Sequence, residues 1–421
     1  LSERIKPVKR KERVQSGPRH VVDEIVAFNA GRDPERLTRK YRLLASNPFA
    51  FLRGTCHLFY RDHAAPCDSP LAWICGDLHL ENFGTYKGDN RLTYFDLNDF
   101  DEAALAPASW ELSRFLVSLL LAADVLHVRP RDALFLCRRF IDAYAAELAS
   151  GKARWLERAT ARGMIKALMR DIRTRSRPAF LDRRTDLRNG KRQLRLDGIK
   201  ALPVNEAERA RVTSMMERYA ATQADHKFFK VLDVARRIAG TGSLGLERYV
   251  VLLRGRGGLD GNFLLDIKHA PPSALAPVLP CPQPAWDSEA RRIVAIQRRV
   301  QAITPAFLSD LTFDGQSYVL KELLPDQDRL TLDHWNGKLA RLDTVMRDMG
   351  ALLAWAHLRS GGRQGSANAD AWIAFGADVA SWRTALINHA RVGQQQVLAD
   401  WERYAAAYRE AVRQRGTEPR R

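Results

Sequence analysis

Asp77 and Asn82 stand five positions apart in Gly76-Asp77-Leu78-His79-Leu80-Glu81-Asn82, a polar stretch that follows the apolar Trp73-Ile74-Cys75. A carboxylate and a carboxamide at this spacing suit phosphoryl transfer. Asp77 would accept the proton of a substrate hydroxyl, and Asn82 would offer Mg²⁺ a neutral oxygen. A hard cation needs more oxygen than one amide. Asp96, Asp99 and Asp101 bring it at the end of Leu92-Thr93-Tyr94-Phe95, a hairpin's length beyond Asn82. Asp99 is the expected metal ligand, joined by Asp96 or Asp101.

A second set lies far downstream. Gly240-Thr241-Gly242-Ser243-Leu244-Gly245 runs straight into the strand-like residues 248–253. A dinucleotide-binding loop would open a helix at its third glycine, so the strand favours a loop between antiparallel strands, with Gly240, Gly242, Ser243 and Gly245 over phosphates. Residues 263–268 read as the next strand and end in Lys268, placed to hold phosphate. Asp266 shares its side and would repel phosphate unless paired. Residues 287–301 read as a helix whose Glu289 or Gln297 would partner the lysine. Two short strands around Asp314-Gly315 then lead to a hinge at Glu322 and Leu324, where backbone groups would meet a base.

These residues need a scaffold. Residues 107–123 have the apolar density of a buried helix and 131–149 are amphipathic, so both would buttress the Asp77 loop. A helix is expected over 34–46, followed by an extended segment over 49–59. There Arg53 is a lone charge in apolar company, either paired with an acid of the centre or at the surface. Residues 330–359 read as mostly helix, with one or two more helices beyond.

At 421 residues, 46% apolar and 28% charged, the chain has the composition of a globular protein of two or three domains. Its longest apolar run, 115–123, is well short of the roughly 20 residues a membrane span takes. Residues 1–20 are basic and lack the apolar segment of a secretory signal. Cys56, Cys67, Cys75, Cys137 and Cys281 form no C-x-x-C pair, which excludes a zinc motif and favours a reducing, cytoplasmic setting. The net charge of +18 is concentrated: residues 1–20 hold seven Lys/Arg against two acids, and 151–200 hold sixteen against five. The second stretch either contacts a polyanion or forms a solvated helical face.

Gly76-Asp77-Leu78-His79-x-x-Asn82 with Asp99-Phe100-Asp101-Glu102-Ala103 resembles the catalytic and metal segments of aminoglycoside phosphotransferases and related small-molecule kinases, with Cys75 where those have His. In ordinary kinases the glycine loop and lysine come first; here they come last. The order implies a two-lobed, α+β, protein-kinase-like fold that is circularly permuted, with the helix ending near His357 packed beside the Asp77 loop. The segments 47–55, 75–84, 95–103, 240–253, 264–270 and 356–361 together resemble domain of unknown function 2252. That family usually shows Lys-Glu-Ala where this chain has Lys268-His269-Ala270, and a later helical Glu where it has Ala295.

The expected organisation is a basic arm and helices over 1–46, the first part of a large lobe with both loops over 47–150, and a basic helical insert over 151–235. A β-rich nucleotide lobe over 236–325 and a helical remainder over 326–421 complete it. The expected function is ATP- and Mg²⁺-dependent phosphoryl transfer to a hydroxyl of a small molecule or protein. Two alternatives stay open: AMP transfer on the same site, or a catalytically weak binding module that docks a polyanion through 151–200.

Overall fold

The computed structural model describes residues 20–62, 68–323 and 330–417 of an α+β protein. The basic arm over 1–19, Cys67 and the hinge residue Leu324 lie outside the described residues. Helices α1 (Val21–Phe28), α2 (Pro34–Ser46), α3 (Pro48–Gly54) and α4 (Cys56–Asp62) come first. Residues 49–59 are therefore helical rather than extended. Asn47-Pro48 carries the reason: the Asn47 side chain accepts the Ala50 N–H at 2.8 Å, and proline fits the first turn. The strand-like look of Phe49, Phe51 and Phe59 reflects burial, not extension.

Strand β1 (Leu71–Ile74) pairs antiparallel with β4 (Ala104–Pro107), and between them β2 (Phe83–Lys87) and β3 (Thr93–Leu97) form a hairpin. Helix α5 (Ala108–Val125) is buried at every position from Ala108 to Ala123 and packs against the amphipathic α6 (Pro130–Ser150).

The stretch expected as a helical insert is mixed. Strand β5 (Leu156–Glu157) extends the β2–β3 hairpin, and α7 (Gly163–Arg173) and α8 (Arg177–Arg184) follow. Next come a hairpin of β6 (Thr185–Arg188) and β7 (Lys191–Leu194), then β8 (Ala201–Leu202), α9 (Glu206–Ala221) and β9 (Val231–Arg237). Asn189-Gly190, both at positive φ, is the turn of that hairpin, and buried Arg192 and Leu194 alternate with exposed Lys191 and Gln193.

Strands β10 (Arg248–Leu253) and β11 (Phe263–His269) lead to α10 (Glu289–Val300), β12 (Ser309–Phe313) and β13 (Gln316–Glu322). The resulting six-stranded antiparallel sheet has the order β12-β13-β11-β10-β9-β8, so it begins at Ala201 rather than after 235. Its faces differ. Phe263, Leu265 and Ile267 pack with Met215 and Met216 of α9, whereas Leu264 joins Val250, Leu323, Leu181 and Leu194 on the opposite side. Asp266 and Lys268 alternate with the first group along β11 and share the side of Leu264.

Helix α11 (Leu339–Ser360) packs on α6, and α12 (Ala369–Ala377) and α13 (Val379–Thr417) close the helical body. His357 of α11 meets Glu111, whose other oxygen accepts the Cys75 N–H at 3.1 Å, so α11 reaches the start of the Asp77 loop. Cys56, Cys75, Cys137 and Cys281 are free thiols. Among the described residues no helix is long and apolar enough to cross a membrane.

Candidate functional site

Gly76 brings two loops together. Its φ is +86°, and a Cβ there would lie 2.2 Å from the Glu102 carbonyl oxygen, so only glycine lets the Asp77 loop run against the 98–103 loop. Asp77 then meets the fully buried Arg114 of α5, whose Nε donates to Oδ1 at 2.8 Å. Burial lifts the Asp77 carboxyl to about 6 against the pull of that guanidinium. The Asn82 side-chain amide donates to the Asp77 carbonyl, which ties the two ends of this loop together. Arg53 pairs with Glu81 at 2.8 Å, so the lone charge of α3 belongs to the centre.

The glycine loop joins antiparallel β9 and β10 and no helix follows it. It is braced from below. The Gly242 carbonyl accepts from Lys40 Nζ at 2.7 Å and from Arg32 at 2.8 Å, and the Asp33 N–H donates to the Gly245 carbonyl at 3.2 Å. Lys40 is fully buried, and burial holds its pKa well below the usual lysine range.

On the sheet, Arg237, Arg248, Lys268 and Lys321 gather around Asp266. Arg248 Nε donates to Asp266 at 2.8 Å and Arg237 lies 2.9 Å away, which holds this carboxyl far below its ordinary range despite burial. The repulsion expected of Asp266 is thus neutralised twice over. Lys268 pairs with Asp101. Burial alone would raise the Asp99 pKa, but Lys268 and Lys321 outweigh it and hold this carboxyl below the usual range.

Two adjoining cavities result. The larger, about 480 Å³, is lined by Arg32, Arg53, Asp77, Glu81, Asn82, Asp99, Asp101, Glu102, Glu247 and the glycine loop from Gly240 to Gly245. The smaller, about 160 Å³, is lined by Lys87, Arg237, Arg248, Asp266, Lys268, Gln297, Lys321 and Glu322. Glu81, Asn82, Asp99, Gly240 and Ser243 line both. Asp77, Asn82, Asp99 and Lys268 are therefore brought to one continuous cleft.

Not every expected residue is there. Asp96 is buried outside both cavities, 3.3 Å from Arg359 and accepting the Leu97 N–H at 2.9 Å, so its carboxylate is committed to structure. Glu289 pairs with Arg292 at 2.6 Å instead of Lys268, because it sits in the first turn of α10, too early to reach the strand. Gln297 does line the cavity with Lys268, while its amide donates to Gln301 at 3.0 Å. Glu322 accepts from the two terminal guanidinium nitrogens of Arg91, at 2.7 and 3.0 Å. Among the described residues no group of three His, Cys, Asp or Glu side chains forms a metal cage.

Sequence reasoning missed several contributors. Arg114 is the one cation of the buried helix α5, and a lone cation there was a readable signal for a buried acid partner. Arg292 of α10 donates to the Asp101 carbonyl at 2.9 Å and so fixes the acidic loop from the far side of the chain. Glu102 faces the larger cavity, accepts from Ser273 at 3.2 Å, and is lifted by burial to about 7, with Asp101 and Asp77 adding like charge. Lys40 and Arg32 carry no local motif; only the tertiary fold sets them under the loop.

No curated protein and no solved structure matches the chain in comparisons of sequence and fold. Residues 32–407 match the profile of domain of unknown function 2252, described as an uncharacterised protein conserved in bacteria, and that span takes in both loops, the glycine loop and Lys268. The chain belongs to the domain of unknown function 2252 family.

Proposed function

We propose that this chain is an ATP- and Mg²⁺-dependent phosphotransferase, built on a two-lobed kinase-like arrangement in circularly permuted order, acting on a hydroxyl-bearing acceptor. One observation carries the reading: residues 77–101 and 240–268, distant in sequence, converge so that a buried carboxylate, oxygen donors, a glycine loop and a lysine share one cleft. The donor chemistry fits the ligand. Asn82 and Asp99 offer hard oxygens, few enough that Mg²⁺ would draw its remaining ligands from phosphate and water. Arg248, Lys268 and Lys321 offer the positive charge a polyphosphate requires.

When bound, the metal nucleotide supplies the transferable phosphoryl group and neutralises charge on it. Asp77 is the base: ionised above about pH 6, it accepts the acceptor's proton at the oxygen that Arg114 does not hold. Lys268 is the phosphate-holding cation, with Asp101 as its partner. Arg32 and Lys40 keep the glycine loop in place, so that little reorganisation is left for the reaction.

The reading is tested with ATP labelled at the γ or the α phosphate, incubated with the chain and a bacterial extract as the source of acceptors. Transfer of the γ label alone is expected. Transfer of the α label would mean that the site moves AMP instead.

A further inference from the structure

Ser176-Arg177-Pro178 opens α8: the Ser176 hydroxyl accepts the Ala179 N–H at 3.2 Å, and Pro178 fits the first turn. Arg177 is thereby held against the start of β11, its guanidinium carbon 3.6 Å from the centroid of the Phe263 ring. Burial lowers the Arg177 pKa from its ordinary value; Glu322 opposes that fall, and Arg91 and Arg256 add to it. Arg177 and Phe263 line a cavity of about 110 Å³, whose wall is otherwise largely apolar through Ile172, Phe180, Leu181, Leu264 and Leu323. Tyr86, Lys87 and Glu322 line both this cavity and the smaller one of the candidate site, so the two adjoin.

We propose that this cavity receives the planar base of the nucleotide, stacked on the Arg177 guanidinium, while the polyphosphate lies next door on the cations of the sheet. This rests on the nucleotide reading of the candidate site and extends it to the other end of the ligand. Two observations carry it. The side of the sheet that faces the smaller cavity is charged at Arg248, Asp266, Lys268 and Lys321, which suits phosphate and offers an uncharged ring little apolar surface. The adjoining cavity is the reverse: apolar side chains surround a planar cation, and heteroaromatic bases stack on guanidinium planes as they do on aromatic rings. The Phe263 ring against Arg177 fixes that plane before a ligand arrives, so little side-chain ordering is left for binding.

A non-hydrolysable ATP analogue and inorganic tripolyphosphate, each with Mg²⁺, are titrated calorimetrically into the full chain as wild type, Arg177→Ala and Arg177→Lys. Wild type is expected to bind the analogue more tightly than tripolyphosphate. Both variants should bind the analogue at least about fivefold more weakly and tripolyphosphate as wild type does, the second result showing that they keep their fold. Lysine retains the charge and the long stem but not the plane, so it separates stacking from simple attraction. Analogue affinity that Arg177→Lys keeps, or a loss that tripolyphosphate shares, would make Arg177 a phosphate contact and overturn the proposal. Equal binding of the analogue by all three chains overturns it as well, with the nucleotide reading intact. Wild type that binds neither ligand overturns the nucleotide reading, and the base site with it.

Discussion

The two cavities of the candidate site share Asn82 and Asp99 but differ in charge. The larger is walled by Asp77, Glu81, Asp99, Asp101, Glu102 and Glu247 against Arg32 and Arg53; the smaller sets five cations against four acids, with Asp266 already held by two arginines. The split follows chain origin. The acids come mostly from the loops after β1 and β3, and the cations mostly from alternate positions on the sheet. A site divided in this way suits chemistry that removes a proton on one side and holds anionic oxygens on the other, with metal-binding oxygens at the seam.

The largest expected effect comes from removing the base on the acidic side. Asp77→Asn should lower transfer of the γ label by about 10²–10⁴-fold while binding of nucleotide persists. In the unaltered chain the rate should rise with pH through about 6, because Asp77 works ionised and is protonated below that value.

Arg114→Met should come next. It leaves the Asp77 carboxylate buried without its counter-charge, costing roughly 3–5 kcal/mol in chemical denaturation. In whatever fraction stays folded, the acid limb of the rate profile should move to higher pH, since the guanidinium is what pulls Asp77 down. A limb that stays put would detach Asp77 from the reaction.

Glu102→Gln should act on stability rather than rate. The Glu102 carboxyl, ordinarily near 4.5, is lifted to about 7 in the fold, chiefly by burial. Between those values the folded chain keeps a proton that the unfolded chain releases, so stability falls as pH rises. The substitution should flatten that fall by roughly 1–3 kcal/mol, read from denaturation at pH 5 and pH 8.

The smallest effect marks where the cationic side ends. Glu289→Gln should change stability by no more than about 0.5 kcal/mol and leave nucleotide affinity unaltered, because Glu289 serves Arg292 and not Lys268. A loss of nucleotide affinity in this variant would redraw the site.

Local chemistry was legible where it repeats a period or a turn. The strand alternation that puts Asp266 and Lys268 on one face, the glycine loop between antiparallel strands, and the buried α5 could all be read from residue order. Residues 49–59 and the β6–β7 hairpin could not, although Asn47-Pro48 and Asn189-Gly190 stood in plain view, because apolar density and arginine content outweighed single turn signals. Pairings across the chain were the least legible. Arg114 with Asp77, Lys40 with Gly242 and Arg359 with Asp96 span 37 to 263 residues, and nothing in local sequence selects such partners. Asp96 shows the consequence: its spacing from Asn82 made it as plausible a metal ligand as Asp101 until the fold gave it an arginine.

The central claim is that the acidic and cationic sides meet around a metal nucleotide. Its most direct test is the thermal stability of the full chain with ATP, with Mg²⁺, and with both, in wild type, Lys268→Ala and Asp99→Asn. The expected result is a rise in melting temperature that requires ATP and Mg²⁺ together and disappears in both variants. No stabilisation by any nucleotide, or stabilisation undiminished in both variants, would contradict it.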